Sequence, residues 1–277
     1  MRRLTDRLFL IVTGICAALT LLVLVGIVAT ILVRGLPAID WRLLTAGEGG
    51  VLYQLVGTLI LVLTALAASA PVAVALALAV TVYRRGGRAA GGLRTWLFAL
   101  NGVPSIVFGV LGLMVFVRAF GWGKSWLGGG LVLGLMVLPT LTVALIERID
   151  ALPASYVAAA RALGLGRDQT VRAVVLRQSA GGLVSGALLG LARAAGETAP
   201  ILFTAAIFSG ATVPGGVRDS PVLALPYHIF VLAQDTLDRD AASQLWAAAF
   251  VLLLAVFGLS LAALPLRLRF SEEAVHG

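Results

Sequence analysis

The chain has 277 residues, 60% of them apolar and only 12% charged, with a mean hydropathy of +1.03. Soluble domains average roughly 45–50% apolar and about 25% charged, so a water-soluble monomer is excluded. The formal net charge of +8, from 21 Lys+Arg against 13 Asp+Glu, points on so apolar a chain to membrane orientation before nucleic acid.

A bilayer core about 30 Å thick needs roughly 20 apolar helical residues to cross it. Six stretches qualify: 8–33, 55–82, 96–117, 127–146, 181–208 and 245–264. The first follows Arg2 and Arg3, as a signal peptide would. Its uncharged run is too long for a typical signal and no small-residue cleavage site follows, so a retained span is expected. Leu, Val and Ala dominate every stretch, and the ten-residue alternation of barrel strands is missing, so the expected fold is all-α with six transmembrane helices. Pro71, Pro104, Pro139 and Pro200 lie inside or near the ends of spans. Neighbouring helices in a bundle can satisfy the carbonyls they free.

With the N-terminus inside, the inner segments hold Arg2, Arg3, Arg7, Arg84, Arg85, Arg88, Arg94, Arg148, Arg161, Arg167, Arg172, Arg177, Arg267 and Arg269. The outer segments hold only Arg34, Arg42, Arg118, Lys124, Arg218 and Arg239. This imbalance predicts both termini in the cytoplasm and puts the whole excess charge on that face. Residues 1–50 read as the first span with an outer loop, 51–265 as the main membrane domain and 266–277 as a cytoplasmic tail. The basic inner loop 147–178 predicts two short amphipathic helices, 153–163 and 168–176, the second with Val171, Val174 and Val175 on one face. Its arginines could be solvated, bind anionic lipid headgroups or dock a soluble partner. The outer loop 211–244 carries Asp219, Asp235, Asp238 and Asp240.

No enzymatic constellation is visible. Cys16 is alone and His228 and His276 lack companions at metal spacing, so no metal site or bound cofactor is expected. Gly123-Lys124-Ser125 resembles the end of a phosphate-binding loop, but the glycine such a loop needs at 118 is Arg118. The informative residues are charges at membrane depth. Arg193 and Glu197 are four apart, so they share a helix face and can pair. Each costs about 2.5–3.5 kcal/mol to insert at the bilayer centre, so such residues pair, face the bundle interior or line a polar path. An internal salt bridge and a contribution of Arg193 to an anion path are both open, because a guanidinium can exchange a carboxylate for an incoming oxyanion. The run Asn101 to Gly109, with Gly102, Pro104 and Ser105, interrupts the third span. It reads either as a simple kink or as a segment exposing backbone to a path.

Ala158-Ala159-Ala160-Arg161-Ala162-Leu163-Gly164 resembles the cytoplasmic signature loop of ABC importer permeases, Glu-Ala-Ala, three residues, Gly, with Ala158 in place of the Glu. Leu176-Arg177 stands where those permeases commonly have Leu-Pro. Gly102-Val103-Pro104-Ser105-Ile106-Val107-Phe108-Gly109, Arg193-Ala194-Ala195-Gly196-Glu197-Thr198-Ala199-Pro200 and Leu225-Pro226-Tyr227-His228-Ile229-Phe230 together resemble the permeases of phosphate importers within the type I ABC family. The resemblance implies one of two homologous permeases over two copies of a cytoplasmic ATPase, which carries the ATP and magnesium, with a periplasmic binding protein delivering inorganic phosphate. It implies that Ala158, Ala159, Ala160, Arg161, Leu163 and Gly164 form a coupling helix for the ATPase. Arg193, Glu197 and Thr198 match the family's intramembrane charged motif. A permease for another oxyanion or small solute, and an ATP-independent secondary transporter or channel, are the alternatives.

Overall fold

The computed structural model describes residues 2–45, 50–83, 87–210, 213–234 and 239–276. Arg84, Arg85, Asp235 and Asp238 of the charge pattern lie outside the described residues.

Runs of apolar helix formers give long helices, which continue even through Pro71, Pro139 and Pro265. α1 spans Arg2–Gly35, a short α2 spans Trp41–Thr45, and α3 spans Leu52–Leu78 with a π-helical turn over Ala79–Tyr83. α4 (Arg88–Asn101), α5 (Ser105–Gly112), α6 (Trp126–Asp150) and α7 (Ala154–Ala162) follow. α8 (Arg167–Thr170), α9 (Leu176–Gly196), α10 (Ala199–Thr204), α11 (Leu225–Leu232) and α12 (Arg239–His276) complete the chain. Among the described residues, five helical segments are long and apolar enough to cross a membrane, and the bent pair Arg88–Asn101 with Ser105–Ala119 makes a sixth if it is one span. Hydroxyls inside them are satisfied locally, as where Thr64 donates to the Ile60 carbonyl at 2.7 Å and Thr142 to that of Leu138 at 2.7 Å. That leaves no polar group facing hydrocarbon unpaired at these positions.

Three expectations are corrected. Span 96–117 is two helices, α4 and α5, meeting at 95°, with α5 continued by a π-helical stretch over Leu113–Ala119. Pro104 has no N–H to donate and keeps Val103 out of helical geometry, so the helix cannot run through. Span 181–208 ends at Gly196; Glu197 is extended (φ −80°, ψ 128°) and α10 begins at Ala199. A helix continued through Pro200 would drive its ring into the Gly196 carbonyl. The second inner-loop helix is not separate: α8, the turn Val171–Val175 and α9 form one candidate span, Arg167–Gly196. No glycine or proline interrupts 167–180, and Val171 and Val175 are buried against the bundle, with Val174 partly so.

α6 is the centre, with 67% of its apolar window enclosed, whereas none of the window of α1 is. Without a hydrophobic drive between helices in lipid, close van der Waals packing must hold them, and small residues permit it. On α6, Gly130 and Gly134 face Thr64 and Ala65 of α3. On α9, Gly182, Gly186 and Gly190, one every four residues, receive Arg148, Ala144, Leu141 and Val137 of α6. Leu61, Leu133, Met136, Val137 and Leu141 fill the resulting core. At the end of α6 opposite α7, residues 205–210 and 213–225 strap across the helix termini. Ser125 N–H donates to Thr204 O (2.9 Å), Trp126 N–H to Ser220 O (3.0 Å), and Leu225 N–H to the buried Thr58 Oγ1 (2.9 Å).

Candidate functional site

The two breaks in the helices face each other. Pro104 caps α5 with an extended backbone (φ −57°, ψ 137°), and Ser105 is its first, half-buried residue. Gly102 closes α4, its N–H donating to Ala99 O at 3.1 Å. About one turn into α5, Gly109 is buried against α10. A Cβ there would lie 2.8 Å from Ala199 O, 2.9 Å from the Phe203 ring and 3.1 Å from Pro200 Cα. The Gly102–Gly109 and Arg193–Pro200 motifs, remote in sequence, are therefore in direct contact.

Arg193 lies three residues before the end of α9, at its junction with the extended Glu197, rather than at mid-helix. Its Nε stands 3.8 Å from Glu197 Oε1, so the pair exists across the break, though beyond hydrogen-bond distance. Its Nη1 donates to Asn101 Oδ1 at 3.3 Å, and the same oxygen accepts from Thr140 Oγ1 at 3.1 Å. Asn101 thus ties the end of α4 to α6 and α9. The side chains of Arg193 and Glu197 are 32% and 19% exposed, partly sheltered and partly open. Thr198 Oγ1 donates to Pro226 O at 3.5 Å, tying the break to α11. The sequence pattern assigned no role to Asn101 or Thr140. An Asn beside Gly-x-Pro reads as a helix end, and Thr140 reads as one more span hydroxyl. The available signal was an amide on the same span as a break, with a lone Arg elsewhere at membrane depth.

Beyond α11's first turn, burial pushes the His228 imidazole below its usual value. Its Nδ1 is buried without a hydrogen-bond partner and its ring stacks on Phe208 at 5.3 Å. Lys124, just before α6, donates from Nζ to Ala206 O of the strap at 3.0 Å, and desolvation lowers its pKa.

The second predicted cluster lies apart from these residues. From Leu176 to Arg193, α9 alone rises about 26 Å. α7 exposes Ala158, Ala159 and Arg161 and buries Ala160. Leu163 follows it 81% exposed, and Gly164 turns the chain at φ +77°, a conformation glycine adopts without strain. A cleft of about 520 Å³ between α7, α8 and the ends of α3 and α6 is lined in part by Asp150, Ala158, Arg161 and Arg167. The loop is tied to α3: Tyr83 Oη donates to Asp168 Oδ1 at 2.8 Å, and Arg167 donates to Val82 O while stacking over the Tyr83 ring.

The chain's fold matches a solved structure described as inward-facing conformations of the MetNI methionine ABC transporter. The TM-score is 0.61 at 17% identity, covering 84% of this chain and 99% of that one. An all-α membrane bundle of this shape, with broken spans and a short-helix loop between two long helices, is the type I ABC permease fold. The chain belongs to the family described as binding-protein-dependent transport system inner membrane component, which it matches over residues 69–269. Relatives include "Phosphate transport system permease protein PstA 2" of Mycobacterium tuberculosis, 35% identical over 93% of this chain and 87% of the relative. "Phosphate transport system permease protein PstA" of Xylella fastidiosa is 31% identical over 97% of this chain and 94% of its own length.

Proposed function

We propose that this chain is the PstA-type half of the membrane path of an ATP-driven importer of inorganic phosphate, working by alternating access. It pairs with a homologous PstC-like permease over two copies of a PstB-like ATPase, which bind the ATP and magnesium and perform hydrolysis. A periplasmic PstS-like protein supplies the anion. The chain lies in the cytoplasmic membrane with both termini on the cytoplasmic side and α1 against lipid. Residues 51–265 form the permease domain. Its loop 147–178 presents Ala158, Ala159, Arg161, Leu163 and Gly164 to the ATPase, with buried Ala160 seating the helix.

The observation that carries the reading is the half-open Arg193 at the meeting of two broken spans. A guanidinium presents a rigid fork of donors suited to a tetrahedral oxyanion, and here its carboxylate partner is too distant to occupy that fork fully. The relatives' names supply the anion.

The test is uptake of labelled phosphate by cells lacking their own system and expressing the four components. Arsenate in excess should compete and sulfate should not. Arg193→Ala should abolish uptake while the chain remains in the membrane. Near-normal uptake at equal expression would remove Arg193 from the path, and competition by sulfate would reassign the substrate.

A further inference from the structure

The Arg193 guanidinium is held at one corner by a neutral oxygen, although a carboxylate sits four residues away. Asn101 Oδ1 accepts from Arg193 Nη1 at 3.3 Å, while Glu197 Oε1 stays 3.8 Å from Nε. Thr140 donates to the same amide oxygen at 3.1 Å and so fixes its position. Asn101 is also the last residue of α4, immediately before the 95° break, so the acceptor is carried by the bent span while the cation is carried by α9.

We infer that Asn101 is a positioning residue for anion transfer: an uncharged acceptor that holds Arg193 in place in the empty path and releases it to an incoming oxyanion. The inference rests on the reading that Arg193 serves the path. Its physical basis is the ranking of acceptors. A guanidinium bonds a carboxylate more strongly than a neutral carbonyl, so an anion can displace an amide oxygen from Nη1 with little competition. A carboxylate at the same place would hold the guanidinium against the anion. Thr140, bound to the amide oxygen, keeps it from following Arg193 when the exchange occurs.

The near-isosteric Asn101→Asp separates this role from a structural one. If the side chain merely tied α4 to α6 and α9, a carboxylate would accept from Arg193 and Thr140 at least as well, and function would persist. The measurement uses the complete complex in proteoliposomes with saturating phosphate-loaded binding protein, following labelled phosphate uptake and ATP hydrolysis together. Asn101→Asp is expected to cut uptake at least about tenfold, the scale of one charge-assisted hydrogen bond, with ATP turnover within about twofold of the parent. Adding Glu197→Gln restores the parent's net charge but leaves the guanidinium held by the new carboxylate, so uptake should remain low. Parental uptake by the single variant, or recovery in the double variant, overturns the inference. If the aspartate variant does not assemble, Asn101→Ala gives the complementary test. Arg193, released from α4, should then pair fully with Glu197 and uptake should fall, whereas parental uptake overturns the role. Arg193→Ala run alongside separates the two levels. Loss there with full activity in the Asn101 variants discards the positioning role alone, whereas activity there discards the path reading beneath it.

Discussion

His228 places a titratable ring where its Nδ1 has no partner and its face lies on Phe208. Desolvation lowers its pKa below the ordinary 6.5, so the native ring resists a proton that the unfolded chain accepts. Between the lowered value and about 6.5 the unfolded state binds more protons, and stability therefore rises with pH and falls on acidification. The thermal midpoint of the purified complex should decline as pH is brought from about 7 to about 5. His228→Phe, which keeps a stacked ring and removes the titration, should flatten that slope; an unchanged slope would locate the acid sensitivity elsewhere. Arg193 and Glu197 were legible in the sequence because charges in an apolar span stand out. Asn101 and Thr140 were not, since an uncharged polar residue near a break or on a span is commonplace until its neighbours are known. Their pairing joins residues 39 apart in the chain.

At the scale of elements, two prolines decide where the helices around Arg193 break. Pro104 was visible as an interruption and Pro200 only as a proline within the expected span 181–208, and the sequence around either cannot distinguish a gentle kink from a break. The outcome depends on whether a neighbouring element takes up the segment that leaves the helix. Here α10 packs on Gly109 of α5 and Thr198 bonds the Pro226 carbonyl, so the broken forms are stabilised by each other. The loop after α6 follows the opposite logic. Its second amphipathic stretch had a readable buried face in Val171, Val174 and Val175, but its merger with α9 was missed because an amphipathic start and an apolar continuation look like two elements. Leu163 at the tip is 81% exposed, and the hydrogen bond it makes to Ala159 O is through its backbone. Leu163→Glu should therefore shift the thermal midpoint little, as exposed substitutions usually stay within about 0.5 kcal/mol. It should weaken the ATPase's co-purification with the permease or its stimulation by loaded binding protein. Parental coupling would remove Leu163 from the docking surface.

For the whole molecule, α1 and α6 are the extremes. Both carry a long apolar window, yet two-thirds of α6's window is enclosed and none of α1's is. α6 meets α3 and α9 through small-residue seams along its length, while on α1 Gly14 and Gly26 have nothing beside them and Gly35, its last residue, packs on Trp246 and Phe250 of α12. Orientation belongs to the same scale, because it is set by the summed basic charge of the loops. Fluorescent reporters fused at either terminus should fluoresce in the cytoplasm, and alkaline phosphatase fused there should be inactive. Phosphatase fused within 213–218 should be active. The reverse pattern would invert the assignment and place α7 on the wrong side for an ATPase.

Composition and hydropathy by themselves determined that the chain is an all-α membrane protein, because backbone satisfaction in hydrocarbon leaves few other choices, and they marked six candidate crossing regions, one of which is the bent pair α4–α5. The spacing of charge and small residues also marked the loop after α6 and the interior Arg–Glu pair. Only the tertiary structure decided which helix is central, that two crossing regions are broken, and that Arg193 is held by an amide on another span. Those outcomes depend on which distant backbones can approach closely enough to satisfy a freed carbonyl or an amide oxygen. Such pairings join residues far apart in the chain, and no local pattern records them.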